Sequence, residues 1–202
     1  VGSEFKIDAS YLSPNVSIAE TVEKATDIYG VNILVAESVH RICTDAMGKH
    51  CRLIDKVKTT GSAVPMKLFS IDLDPYSMVP DREGPRRKFD NKMRFRVRQE
   101  VEDTKIKLMD NDVNVAEAFR THPDISLMRS KFSNEFMFTF GMGYQNYAEG
   151  EWQVAQRFLE KAKSLLEGGE DGPSRALLEF MDKFSFEAPS NWKGSRELGR
   201  LG

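Results

Sequence analysis

The sequence predicts an α+β region followed by an all-α helical extension. Three observations carry that reading. Over residues 1–74, apolar residues at helical spacing alternate with short apolar runs; near residues 75–92 prolines and a glycine interrupt the pattern; and from residue 93 the helical period takes over. With 202 residues, 40% hydrophobic and 30% charged, the chain has material for a core and a well-solvated surface. A net charge of −2 gives no global field to draw it to nucleic acid or to a membrane surface. No apolar run approaches the roughly 20 residues of a membrane span, and no signal peptide is visible, so a cytoplasmic location is expected.

The first element is an amphipathic helix from about Ser17 to Tyr29. Ile18, Val22, Ala25 and Ile28 or Tyr29 form its apolar stripe, and Gly30 supplies the left-handed stop. Val31–Ala36 is an apolar run broken only by Asn32, the pattern of a buried strand. A second helix is expected from about Glu37 to Met47, ended by Gly48. Cys51–Thr59 and Val64–Asp72 read as two strands around a turn containing Gly61. Residues 75–92 form the linker, marked by Pro75, Pro80, Gly84 and Pro85. Its basic run Arg86-Arg87-Lys88 is of the kind ordinarily left to solvent.

The extension, 93–202, begins with the charged, weakly periodic stretch Phe95–Met109 and a short helix over Val113–Thr121 that stops before Pro123. Ser130–Ala148 and Glu151–Leu166 form a helical hairpin across Glu149-Gly150. Gly143, Tyr147, Gly150, Trp152, Ala155, Leu159 and Ala162 in it resemble one tetratricopeptide unit, near 130–166. Repeats of this type need about three copies to be stable alone, so a docked extension is the plainer reading. Asp171-Gly172-Pro173-Ser174 suits a turn into a helix over Arg175–Lys183, and residues 188–198 show little regular pattern.

Several sequence features carry no site. Cys43 and Cys51 have neither metal-ligand nor disulfide-framework spacing and read as reduced thiols. His40, His50 and His122 are scattered. Asp110-x-Asp112-x-Asn114 opens like a calcium loop, but Val115 stands sixth where glycine is required and Thr121 twelfth where glutamate is required.

The stretch Ser10-Tyr11-Leu12-Ser13-Pro14-Asn15-Val16-Ser17-Ile18-Ala19-Glu20-Thr21 resembles the central signature of class III nucleotidyl cyclases, a loop and then a helix carrying Val-Asn-x-Ala-x-Arg. The likeness continues through Tyr29-Gly30-Val31, Ile33-Leu34-Val35-Ala36-Glu37, Arg52-Leu53-Ile54-Asp55-Lys56-Val57 and Pro65-Met66-Lys67-Leu68-Phe69, about a third of the chain. Gly150-Glu151-Trp152, Asp171-Gly172-Pro173-Ser174 and Pro189-x-x-Trp192-x-Gly194 resemble the helical tail of protist and bacterial members. The resemblance implies the second half of a cyclase homology domain, working as a dimer whose active sites are assembled from two halves. The chain opens on Val1 close to the signature, so a longer parent is expected, with the metal-binding aspartates upstream.

The resemblance also implies which positions matter. Ser10 falls on the base-recognition position. Ser17 stands where the family has its catalytic asparagine and Thr21 where it has the arginine. Ser62, in Thr59-Thr60-Gly61-Ser62, stands where it has a phosphate-binding lysine. Residues four apart share a helix face, so an amide and a guanidinium there reach one substrate, orienting the ribose and offsetting phosphate charge. Losing one such contact costs about 3–4 kcal/mol of transition-state stabilisation. Ser and Thr are also ordinary first-turn residues. All three departures belong to one side of the site, as in the metal-bearing half of tandem cyclases.

This half is therefore expected to be inactive alone and to need a complementary cyclase domain, from the same chain or another. It needs no cofactor of its own, magnesium or manganese entering only in the assembled cyclase. Nucleoside triphosphate is a ligand only if the dimer is active, other protein subunits are expected partners, and nucleic acid is not. Two alternatives stand beside this reading: a non-catalytic pseudocyclase serving as a dimerisation module in a large assembly, a ciliary one included, and a helical protein-interaction scaffold.

Overall fold

The computed structural model describes residues 2–3, 6–7, 14–59, 64–78, 90–109 and 114–198. The chain is α+β and divides into two compact units: 1–72 together with 132–202, and 73–131. The cut differs from the sequence segments, because the C-terminal helices cluster with the first 72 residues.

In the larger unit, the two-residue strands β1 (Gly2–Ser3) and β2 (Lys6–Ile7) pair antiparallel. Helix α1 spans Pro14–Tyr29 and buries Val22, Ala25 and Tyr29, with Ile18 and Ile28 packed beside them. It ends as its sequence requires: Gly30 takes φ +57°, and the Val31 N–H returns to the Thr26 carbonyl at 3.1 Å.

Strand β3 (Leu34–Ala36) is shorter than the apolar run 31–36. The single helix expected over 37–47 is instead two turns, α2 (Glu37–His40) and α3 (Asp45–Gly48). Thr44 breaks it: its backbone is extended (φ −63°, ψ 153°) and its hydroxyl accepts the Met47 N–H at 3.3 Å, an N-cap in competition with a through-going helix. The imidazole of His40 lies flat on Phe69, ring centroids 3.9 Å apart.

Strands β4 (Cys51–Lys58) and β5 (Met66–Ile71) form the centre of a four-stranded sheet ordered β3-β5-β4-β6, where β6 is Arg196–Glu197. β5 is antiparallel to both its neighbours, and β6 joins β4 in parallel, Val57 beside Arg196 and Lys58 beside Glu197. The register slips between Leu53 and Asp55. A regular strand would put Arg52 and Ile54 on one face and Asp55 on the other. The bulge changes the phase, so Arg52, Ile54, Asp55 and Val57 are all buried.

Three helices complete this unit: α7 (Asn134–Glu149), α8 (Trp152–Ser164) and α9 (Gly172–Asp182). α7 starts four residues later than expected because Ser133 caps it, accepting the Phe136 N–H at 3.1 Å. Gly150, at φ +91°, turns the chain into α8. α9 meets the end of α1 almost backbone to backbone: a Cβ on Gly172 would lie 1.8 Å from the Tyr29 carbonyl oxygen. The core joins Val22, Ala25 and Tyr29 to Ile54, Val57 and Leu68 of the sheet, and to Phe136, Phe140, Leu159, Leu177 and Met181 of the extension.

The smaller unit holds a 3-10 turn at Pro75–Ser77, then α4 (Asn91–Met109), α5 (Val115–Thr121) and α6 (Pro123–Arg129). α6 has no counterpart in the sequence reading: Pro123 does not only end α5 but opens the next helix at a position that needs no N–H. Asp74 organises the turn, capping the Tyr76 N–H at 3.1 Å and pairing with Lys131 at 2.8 Å.

Candidate functional site

Two of the four family positions can be placed. Ser17 and Thr21 stand one turn apart on α1, Ser17 exposed and Thr21 half-buried. The Thr21 hydroxyl donates to the Ser17 carbonyl at 2.8 Å, so it is turned back onto its own helix. Ser10 and Ser62 lie outside the described residues. The same ridge of α1 carries a residue the sequence reading passed over. Lys24 follows Thr21 by three positions, and its ammonium is held at 2.9 Å by the Glu20 carboxylate. That pair draws the Glu20 carboxyl down and the Lys24 ammonium up from their ordinary values through the hydrogen bond. The ridge thus offers short neutral hydroxyls and one cation that already has a partner.

Two buried charge clusters meet on β4. The Arg52 guanidinium makes two forked pairs. Nε and one terminal nitrogen donate to Asp72, both at 2.8 Å; the terminal nitrogens donate to Asp171 at 2.9 and 3.1 Å. The side chain also lies over the rings of Phe136 and Phe140, 4.9 and 4.3 Å from their centroids. Asp171 has a second task as the cap of α9, accepting the Ser174 N–H at 2.9 Å and hydroxyl at 2.6 Å. Burial opposes the charge on Arg52, but the Asp171 and Asp72 carboxylates outweigh it and hold the guanidinium above its ordinary range.

The second cluster is centred on Asp55. Its carboxylate accepts the Tyr29 hydroxyl and the Arg196 Nε–H, each at 2.7 Å, and the Lys56 N–H at 2.7 Å. Arg196 also donates to the Tyr29 hydroxyl at 3.2 Å and to the Ala176 carbonyl at 3.3 Å. Burial lifts the Asp55 carboxyl, with Arg196 pulling against it. Three donors converge on this group, which is the arrangement of an ionised carboxylate. Burial likewise pushes the Tyr29 phenol well up, helped by the Asp55 charge. The Tyr147 phenol is raised for the same reasons, and its hydroxyl is buried without a hydrogen-bond partner among the described residues.

These clusters join distant parts of the chain. Each pairs a charge from β4 with an opposite charge 119 or 141 residues later. The sequence carries little signal for them: Arg52, Asp55, Lys56 and Lys58 are all charged within Cys51–Lys58, and alternation alone does not say which of them turn inward.

The cyclase resemblance implies a metal in the assembled enzyme. Among the described residues no group of three or more His, Cys, Asp or Glu is placed to hold one. The buried carboxylates Asp72 and Asp171 are both engaged by Arg52. Among the described residues, no helix is long and apolar enough to cross a membrane. No protein-family model, curated protein or solved structure matches this chain.

Proposed function

We propose that this chain is the second half of a class III nucleotidyl cyclase homology domain with its helical extension. It takes part in cyclic nucleotide synthesis and intracellular signalling as the half that lacks the transition-state groups. The observation that supports this reading is the ridge of α1. The positions of the family's orienting amide and charge-offsetting guanidinium lie one turn apart, and they hold Ser17 and a Thr21 hydroxyl bonded to the helix backbone. A surface of this kind can hydrogen-bond a neutral group. It cannot offset the charge that develops on a phosphate during cyclisation. Turnover therefore requires a complementary half, which brings the missing groups to a second, productive site.

The test is a cyclase assay on the full-length parent protein, with manganese and ATP or GTP, with and without a complementary cyclase half. Cyclic nucleotide formed only in the mixture supports the reading. Product from the 202 residues alone, above a control for contaminating cyclase, overturns it. The internally satisfied ridge (Thr21 on Ser17, Lys24 on Glu20) also favours a second reading, a pseudocyclase kept for dimerisation. A stable heterodimer that makes no product under any pairing would select it.

A further inference from the structure

We propose that residues 184–198 form a strap that opens and closes as one unit, held shut by Trp192 and Arg196 against strain stored at Ser185 and Phe186. The strain is local and specific. Ser185 (φ 54°) and Phe186 (φ 58°) are consecutive left-handed residues with side chains, and they are the only non-glycine residues with positive φ among those described. They follow α9, whose end is closed by the Ser185 N–H on the Asp182 carbonyl and the Phe186 N–H on the Met181 carbonyl. Glycine is the usual residue at such a stop, and a Cβ there meets the following carbonyl.

The anchors lie further along. The Trp192 indole N–H is shared between the Tyr147 and Ala148 carbonyls, both at 3.1 Å. Gly194 lets the strap press on the end of α7, since a Cβ there would sit 2.9 Å from the Ala148 oxygen. Arg196 reaches Asp55, and the Leu198 N–H bonds the Lys58 carbonyl at 2.9 Å, completing the parallel edge of β4. The Trp192 ring also meets the Tyr147 ring edge-on, centroids 5.2 Å apart. Backbone strain at its start and a two-residue edge strand at its end lower the cost of opening this segment relative to α7 and α8. Opening would bare the Val57–Lys58 edge of β4 and the Asp55 carboxylate. This inference is independent of the cyclase reading.

Native-state amide exchange against denaturant tests it on the intact chain. The Leu198 and Phe186 amides and the Trp192 indole N–H should exchange together, through an opening with a smaller denaturant dependence than the amides of α7 and α8 show. Ser185→Gly should slow that opening by about three- to tenfold, since glycine relieves most of a left-handed penalty worth about five- to thirtyfold. Trp192→Phe keeps a ring but loses the indole donor; it should speed Leu198 exchange by about three- to tenfold while leaving α7 and α8 unchanged. The Tyr147 carbonyl keeps the Trp152 indole as a partner, so this variant should fold. Strap amides that follow the same denaturant dependence as α7 and α8 overturn the proposal, as does a Ser185→Gly variant whose strap opens no more slowly.

Discussion

A single glycine shows how closely the two ends of this fold meet. Gly172 allows α9 to touch the Tyr29 carbonyl, and Gly172→Ala has no room for its methyl unless backbone moves. We expect a loss of about 1–3 kcal/mol or more, read as a lower urea midpoint at unchanged slope. Arg52 is the other sensitive residue. Arg52→Met leaves Asp72 and Asp171 buried without their cation, and breaking such a pair costs about 3–5 kcal/mol. Adding Asp72→Asn and Asp171→Asn should recover part of that loss, because removing all the charges is far cheaper than removing one. A triple variant no more stable than Arg52→Met would show that the arginine acts through packing on Phe136 and Phe140 instead. On the α1 ridge, Ser17→Asn with Thr21→Arg and Ser62→Lys should raise affinity for a non-hydrolysable ATP analogue in calorimetry, with Lys24 already beside the new arginine. Unchanged binding in a folded variant would favour the pseudocyclase reading.

Among the elements, α2 meets β5 through a carboxylate and a ring stack. Glu37 accepts the Lys67 N–H at 3.2 Å and pairs with Arg41 at 2.8 Å, and these contacts, the Lys67 N–H foremost, draw its carboxyl below the ordinary range. A carboxyl that is more acidic folded than unfolded stabilises above its unfolded value. That stabilisation disappears as pH falls through the folded one. Urea midpoints taken from about pH 6 down to about pH 3 should therefore drop less for Glu37→Gln than for the parent protein. The difference should stay within about 1 kcal/mol, because Arg41 is exposed to solvent. Equal pH slopes would mean that the Glu37 carboxylate adds nothing to stability.

At the scale of the larger unit, residues 1–72 and 132–202 share one core. Ile54 and Leu68 on the sheet are buried with Phe136, Phe140 and Leu177, and both buried arginine clusters cross between the segments. A fragment of residues 1–74 would expose that apolar face and leave Arg52 with half its counter-charge. We expect it to lack a cooperative thermal transition. Mixing it with a fragment of 132–202 should restore one if the interface alone is sufficient. A fragment 1–74 that unfolds cooperatively by itself would contradict a shared core.

What the sequence by itself determined is local. The stripe Val22-Ala25-Tyr29 with Gly30, the strand pattern of 51–58 and 66–71, and the hairpin about Gly150 all follow from side-chain period and glycine stops, which depend on neighbours a few residues away. The α1 ridge was legible for the same reason, since Ser17 and Thr21 are one helical turn apart. What only the tertiary structure decided is how charges and edges find partners. β6 is two residues long and has no period to read; it is a strand because the Lys58 carbonyl and Asp55 wait beside it. Asp55 faces inward because a bulge shifts β4 by one phase, and Arg52 is tolerable inside because Asp72 meets it from the next strand's end and Asp171 arrives from 119 residues away. Burying a charge is favourable or ruinous according to its partner, and the partner is set by the fold.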